Sequence, residues 1–163
     1  MSDYHLKYER LLEVLDYNKN TGHFTWKETR GGVKRGSIAG AFDSRETITI
    51  NIDRKKYRAH RLAWLWMTGE WPSAEIDHKN GIKTDNRWGN LRDVRPSVNQ
   101  QNRRSAQKNN KCGLLGVSLE RKKWRATITI NRKQKRIGAF ATPEEAHAAY
   151  LVAKRGLHEG CTI

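Results

Sequence analysis

Residues 75–104 place an acid directly before a histidine and follow the pair with several asparagines and arginines. The segment reads EIDHKNGIKTDNRWGNLRDVRPSVNQQNRR. A histidine whose pKa stays near its usual value of about 6.5 can take a proton from water. Carboxylate and amide oxygens are ligands that a hard divalent ion prefers. Asp77, His78 and the asparagines therefore have the residue types needed for metal-assisted attack on a phosphodiester.

The same residues also have ordinary structural interpretations. Adjacent residues of a regular strand point to opposite faces, so Asp77 and His78 can serve one ion only where the strand ends or bends. Otherwise Asp77 is a turn acid and His78 is a surface residue. Asn90 can be a plain turn residue, because asparagine stabilises turns, and Asn99 can be an exposed helix residue. The residue types alone leave these alternatives open.

Composition indicates a folded, strongly basic protein. Among 163 residues, 32 Lys and Arg oppose 17 acids, so the formal net charge of +15 predicts a polyanionic partner. A hydrophobic fraction of 36% and six tryptophans exclude a disordered basic chain. Cys112 and Cys161 form no Cys-x-x-Cys pair, so no structural zinc site is indicated. Without an apolar run of membrane-spanning length, we expect no membrane contact and a cytoplasmic location.

The elements that must position these residues fall into two small modules. In residues 1–105, TITINIDRKKYRAH predicts a hairpin with its tip near residues 53–55, and HRLAWLWMTGEW predicts a short buried helix. Two brief strands and a helix then follow around the polar segment. Residues 106–112 are polar and aperiodic, which is typical of a linker. Residues 113–163 predict three short strands and a helix opened by the capping box of Thr142 and Glu145.

Residues 60–102, HRLAWLWMTGEWPSAEIDHKNGIKTDNRWGNLRDVRPSVNQQN, resemble the HNH, or beta-beta-alpha-metal, nucleases. The resemblance is to phage homing endonucleases in which asparagine replaces the last motif histidine, and it extends over most of residues 6–104. It implies an α+β fold, with residues 1–105 as an HNH nuclease domain that includes N-terminal DNA-binding strands.

The resemblance also implies individual roles. His78 is the expected general base, and Asn90 is expected to brace the loop and orient His78. Asp77 and Asn99 are the expected ligands of one divalent ion. This oxygen-ligand pair implies magnesium or manganese and not zinc.

Further polar and basic residues receive supporting roles. Asn86 and Asn102 resemble supporting polar positions. His60 and Arg61 open the buried helix, and in the family such residues lie near DNA phosphate, although a solvated basic face explains them equally well. We also expect Arg103 and Arg104 to contact DNA.

Residues 113–157 resemble the APETALA, or ethylene-response, DNA-binding domain, which phage homing nucleases also carry. The matching motifs are Gly116-Val117, KWRATI, IGAF and TPEEAHAAYLVA. The resemblance implies a small three-stranded antiparallel sheet, packed on one helix, that enters the major groove.

Period-two alternation assigns the two faces of that sheet. The side chains expected to face the helix are Trp124, Ala126, Ile128 and Ile130. The expected DNA contacts are Ser118, Arg121, Lys123, Arg125, Thr127, Thr129, Gln134 and Arg136. Family members have arginine at several of these positions, so we expect this chain to prefer a different target. A merely solvated strand face is the alternative for each residue.

These features together predict a monomeric, metal-dependent, site-preferring endonuclease of duplex DNA, resembling a phage homing endonuclease. In that case it would act in the cytoplasm of the host cell. Two alternatives remain open. One is a DNA-binding regulator whose HNH segment has lost activity, and the other is an RNA-binding protein that uses the same basic surface.

Overall fold

The computed structural model describes residues 6–29 and 31–162. Residues 1–5, 30 and 163 of the predicted modules therefore lie outside the described residues. Contacts along the chain group it into two compact units, residues 1–95 and 96–163. This division falls before residue 105, and the predicted linker at 106–112 stays a prediction. The predicted α+β class is confirmed, since small antiparallel sheets and helices occur together.

The first unit combines two helices with short antiparallel strands. Its sheets have the orders β1-β2-β3, β4-β5-β6 and β7-β8. The elements are α1 (Tyr8–Val14), β1 (Leu15–Tyr17), β2 (Phe24–Trp26), β3 (Ile38–Ala39), β4 (Ala41–Phe42), β5 (Ile48–Ile52), β6 (Lys55–Arg58), α2 (Ala59–Thr68), β7 (Glu75–His78), a 3-10 helix (Trp88–Asn90) and β8 (Leu91–Val94).

Helix α2 lies in the core of the first unit and leads the chain toward β7. Its Leu62 and Leu65 are buried with Ile50 of β5, which covers their apolar surface. The helix ends at Gly69, whose left-handed conformation (φ 79°) lets its N–H bond to the Leu65 carbonyl. None of the described helices has the length and apolarity needed to cross a membrane.

The β7–β8 hairpin carries the Asp-His pair. Its register pairs Asp77 with Arg92 and His78 with Leu91. Asp93 fixes the entrance to the hairpin: its carboxylate accepts hydrogen bonds from the backbone N–H groups of Ser73, at 2.8 Å, and Ala74, at 2.9 Å. The start of β7 is thereby tied to β8, and His78 becomes the last residue of its strand.

The second unit is a three-stranded sheet covered by a helix. The sheet has the order β11-β10-β9, and Ala146 and Tyr150 of the long helix pack against Ala126 and Ile128 of its middle strand. The capping box of Thr142 begins this helix, as predicted. The elements are α3 (Pro96–Gln101), β9 (Val117–Glu120), β10 (Lys123–Ile130), β11 (Lys133–Phe140) and α4 (Pro143–Leu157).

Helix α3 and the segment after it are anchored within this second unit. Lys154 of α4 donates a hydrogen bond to the backbone carbonyl of Arg103. The side chain of Gln101 accepts from the Gly160 N–H at 2.9 Å. In the predicted linker, the Asn110 amide bonds to the carbonyls of Leu114 and Val117, at 2.9 and 3.1 Å. The predicted linker at residues 106–112 is therefore held in place by side-chain hydrogen bonds.

Candidate active site

His78 is a buried imidazole at the end of β7, with 7% of its surface exposed. Its Nε2 lies 3.0 Å from Oδ1 of Asn86. Because a carbonyl oxygen can only accept, Nε2 donates in this contact, and the neutral form of the ring then has its lone pair on Nδ1. The imidazole is thereby arranged to receive a proton through Nδ1.

Asn86 is itself held firmly, with 1% of its surface exposed. Its backbone carbonyl accepts a hydrogen bond of 2.6 Å from the hydroxyl of Tyr17 in β1. Its Nδ2 is buried and makes no hydrogen bond within the described part of the chain. Sequence reasoning gave Asn86 only a supporting role, and no local pattern indicates that it bonds to His78.

Asn90 braces the loop between β7 and β8. Its Nδ2 donates to the Asp85 carbonyl at 2.7 Å and to Oδ1 of Asn80 at 3.0 Å, and its Oδ1 accepts from the Asn80 N–H at 3.0 Å. A hydrogen bond from Arg87 lowers the pKa of Asp85 in the same loop to about 2. The role of Asn90 in orienting His78 stays a prediction; the side chain hydrogen-bonded to the imidazole is that of Asn86, in the loop that Asn90 braces.

Asp77 lies beside His78 and is paired with an arginine. Arg92 of β8 donates to Oδ2 of Asp77 from Nε at 2.9 Å and from Nη2 at 2.7 Å. Both bonds use the same carboxylate oxygen, Oδ2. A carboxylate is a fitting donor for a hard dication, and the nearby guanidinium is a competing cation for that carboxylate.

The other expected ligand, Asn99, lies in the second unit, half-buried on α3. Its backbone carbonyl accepts from the Asn102 N–H at 3.0 Å, and Asn102 is itself buried. Among residues 6–29 and 31–162, no group of three or more His, Cys, Asp or Glu side chains could hold a metal. Carboxylate and amide oxygens are, as donor types, suited to magnesium or manganese.

His60 and Arg61 differ from the exposed basic surface that was expected. His60 is buried, with 6% exposed, and its ring contacts that of His78 edge-on, with centroids 5.2 Å apart. Burial, followed by the charge of His78, lowers the pKa of His60 to about 3, so this ring is neutral at physiological pH. Arg61 donates to the Ala74 carbonyl at 3.2 Å and so supports the chain entering β7. The helix pattern did not reveal that these polar residues point inward.

The sheet of the second unit presents a basic outer face with one acid on it. Arg125 is half-buried, and its Nη1 donates to Oε1 of Glu120 at 2.8 Å. Arg136 approaches the same carboxylate at 3.9 Å. Sequence reasoning assigned Glu120 no role. The other predicted contacts on the sheet are exposed or half-buried: Ser118, Arg121, Lys123, Thr127, Thr129 and Gln134.

Two further residues predicted to contact DNA lie in the chain segment that follows α3 and precedes β9. Arg103 and Arg104 are both exposed. The guanidinium of Arg104 donates to the Thr162 carbonyl at 3.1 Å, so it also supports the fold of the second unit.

Comparison with known proteins identifies the segment that carries this hairpin. Residues 57–101 match the family model HNH_3, described as HNH endonuclease. No curated protein and no solved structure gives a match. The matched residues include β7, β8 and α3. Residues 57–101 are therefore similar to the HNH endonuclease family, which supports a nuclease of the HNH type.

Proposed function

We propose that the protein is a metal-dependent, site-preferring endonuclease that hydrolyses phosphodiester bonds of duplex DNA, in the manner of a phage homing endonuclease. The observation that carries the proposal is the buried His78, bonded through Nε2 to Asn86 within the HNH segment. A neutral imidazole with its lone pair on Nδ1 has the protonation state that a general base requires.

In the proposed reaction, Nδ1 of His78 takes the proton of the water that attacks the phosphorus atom. Asn86 keeps the proton on Nε2 and fixes the plane of the ring. Asn90 holds the loop that supports both residues. A divalent ion held by Asp77 would supply positive charge for the transition state and for the departing 3′ oxygen.

Asp77 is the proposed metal ligand in the first unit, and the family resemblance assigns Asn99 as the second. Magnesium or manganese is the proposed ion, because both side chains offer oxygen. The Asp77–Arg92 pair gives Asp77 a compensating charge when no ion is bound.

DNA binding is proposed for surfaces in both units. The net charge of +15 supports a polyanionic ligand. The sheet of the second unit, with Arg125 and Arg136 on its outer face, is proposed to enter the major groove as the APETALA-type resemblance implies. Strands of the first unit are proposed as an additional contact. Two DNA-binding surfaces of modest affinity on one monomer give a higher overall affinity, because binding of the first raises the effective concentration of DNA at the second. Host-cell cytoplasm is the proposed location.

A DNA-binding regulator without activity is the second candidate. The guanidinium of Arg92 on Asp77 favours it, because this contact competes with a metal ion. Incubating supercoiled plasmid with the full chain and magnesium or manganese separates the two. The nuclease converts the plasmid to nicked or linear forms, and a chelator stops the conversion. A regulator retards the plasmid in a gel and leaves it supercoiled under every condition.

A further inference from the structure

We propose that the N-terminal hairpin, residues 15–26, is a positioning element for His78 and acts on it through Asn86. The hairpin consists of β1, β2 and the turn between them, and it lies outside the matched residues 57–101. The inference rests on the proposed role of His78 as general base. It adds a second segment of the chain to the machinery that sets the geometry of that base.

The first step is the bond between Asn86 and the imidazole. An imidazole ring can rotate about its side-chain bonds and can carry its neutral proton on either nitrogen. The 3.0 Å contact from Nε2 to Oδ1 of Asn86 fixes both the rotation and the tautomer of His78. A base displaced by about 1 Å can cost about 10²-fold in rate.

The second step is the hold that Tyr17 has on Asn86. The hydroxyl of Tyr17 donates to the Asn86 backbone carbonyl at 2.6 Å, and this contact is buried. Burial raises the pKa of Tyr17, so the hydroxyl keeps its proton and remains a donor. The backbone of Asn86 is thereby tied to β1, a strand 69 residues earlier in the chain.

The third step is the close approach of the turn to the same segment. Gly22 has a φ of 76°, and a Cβ there would lie 2.5 Å from both the Asn86 carbonyl carbon and the Arg87 nitrogen. Only glycine fits such a contact without displacing the backbone. The Lys19 carbonyl in the same turn accepts from the Trp88 N–H at 3.0 Å. The turn therefore contacts the backbone of residues 86–88.

These contacts allow a test of whether the hairpin orients His78 or only stabilises the folded protein. If the hairpin positions the base, a change at Asn86 should lower the rate of cleavage without lowering the affinity for DNA. An acceptor at residue 86 should also be enough to preserve the tautomer. Asn86→Leu removes the acceptor at similar size, and Asn86→Asp keeps it while removing the unsatisfied Nδ2.

The experiment measures single-turnover cleavage of supercoiled plasmid by the full chain, together with its affinity for the same plasmid. Asn86→Leu is expected to slow cleavage by about 10²-fold at unchanged affinity. Asn86→Asp should remain faster than Asn86→Leu. Tyr17→Phe and Gly22→Ala should slow cleavage in the same way, and Asn20→Ala, on an exposed side chain of the same turn, should not.

A second measurement does not depend on activity. The ¹³C chemical shift of His78 Cδ2 in the metal-free full chain reports which nitrogen carries the proton. We expect the Nε2–H tautomer in the wild type and in Asn86→Asp, and a mixture in Asn86→Leu. If Asn86→Leu does not fold, the cleavage rate of Tyr17→Phe and the His78 tautomer of the wild type still show whether the hairpin positions the base.

Two results would overturn the inference: wild-type cleavage rates in a folded Asn86→Leu or Tyr17→Phe, or a wild-type His78 protonated on Nδ1. A wild type that never cuts DNA defeats the proposed function instead. In that case the tautomer measurement still shows whether Asn86 fixes His78.

Discussion

Arg92 and Asp77 form a close pair across the β7–β8 hairpin, with two hydrogen bonds of 2.9 and 2.7 Å to one carboxylate oxygen. The Asp77 side chain is almost fully buried and that of Arg92 is largely so. Removing one partner of a buried ion pair strongly destabilises the folded protein, because the other charge stays buried without compensation. The pair therefore links the stability of the hairpin to whatever cation lies beside Asp77.

Arg92→Gln should destabilise the protein, and a divalent ion should reverse much of the loss. Removing the guanidinium takes away the two charged hydrogen bonds to Asp77, at a cost on the order of 3 kcal/mol. We expect manganese or magnesium to raise the melting temperature of Arg92→Gln more than that of the wild type, as measured by thermal unfolding.

Arg10→Gln is the matched control for this experiment. Arg10 pairs with Asp53 on an exposed surface, so its loss should change stability little and leave the metal response unaltered. Equal metal-induced shifts in Arg92→Gln and the wild type would count against Asp77 as a ligand.

His60 should make stability fall as the pH drops below about 6.5. Burial lowers its folded-state pKa to about 3, whereas the unfolded chain keeps the ordinary value. The contribution of neutral His60 is complete above pH 6.5 and is lost toward pH 3, by up to about 1.4 kcal/mol per pH unit. Urea unfolding of the wild type and His60→Phe between pH 7 and 4.5 tests this, since the variant should show a smaller slope. Parallel curves would show that His60 is not buried and neutral.

Salt should weaken DNA binding steeply. If roughly 6 to 10 phosphates are neutralised, affinity for duplex DNA falls by about 10³ to 10⁵ between 50 and 200 mM salt. Titration of a labelled duplex at several salt concentrations measures this slope. A nearly flat response would remove the electrostatic basis of the proposed DNA contact. A structured RNA of equal length should bind less well, because the deep A-form major groove excludes the sheet.

Glu120→Gln should raise affinity for random duplex DNA and reduce selectivity. Glu120 is a negative charge on the outer face of the sheet and holds Arg125 at 2.8 Å. Removing this charge lessens the repulsion of DNA phosphates and so raises the affinity. It also releases the Arg125 guanidinium, which must be held in a fixed direction to read guanine. Selection from a randomised duplex library, together with binding to unselected DNA, measures both effects.

Glu144→Gln makes the same change of charge at the start of α4, in the helix that covers the sheet, and is the control. We expect it to leave the selected motif unaltered. An unchanged motif in Glu120→Gln would show that its carboxylate does not direct Arg125.

Patterns set by local geometry were predictable from the sequence. The hairpin tip of residues 53–55 is confirmed, because Asp53 and Arg54 take the positive φ values of a tight turn between β5 and β6. Alternation also placed Ala126 and Ile128 correctly on the helix side. The bulge in β11, where Ile137 is the extra residue opposite Ala126 and Thr127, was not predicted, although a glycine inside a strand such as Gly138 is a known signal of one.

Contacts between distant segments could not be read from the sequence. The family resemblance assigned the orientation of His78 to Asn90 and only a supporting role to Asn86, and the two side-chain amides have the same donors and acceptors. Only the folded loop shows that Asn86 faces the imidazole while Asn90 turns toward Asn80. The contact of Tyr17 with the Asn86 carbonyl was not predicted either, because spacing along the chain does not reveal which distant carbonyl a hydroxyl reaches.

Metal-dependent cleavage of supercoiled plasmid by the wild type and His78→Ala tests the central claim most directly. His23→Ala, which alters an exposed histidine of the first unit, is the control. We predict that His78→Ala cuts at least about 10²-fold more slowly while binding the plasmid equally well, because the general base is gone. Undiminished cutting by His78→Ala under the same conditions would contradict the account.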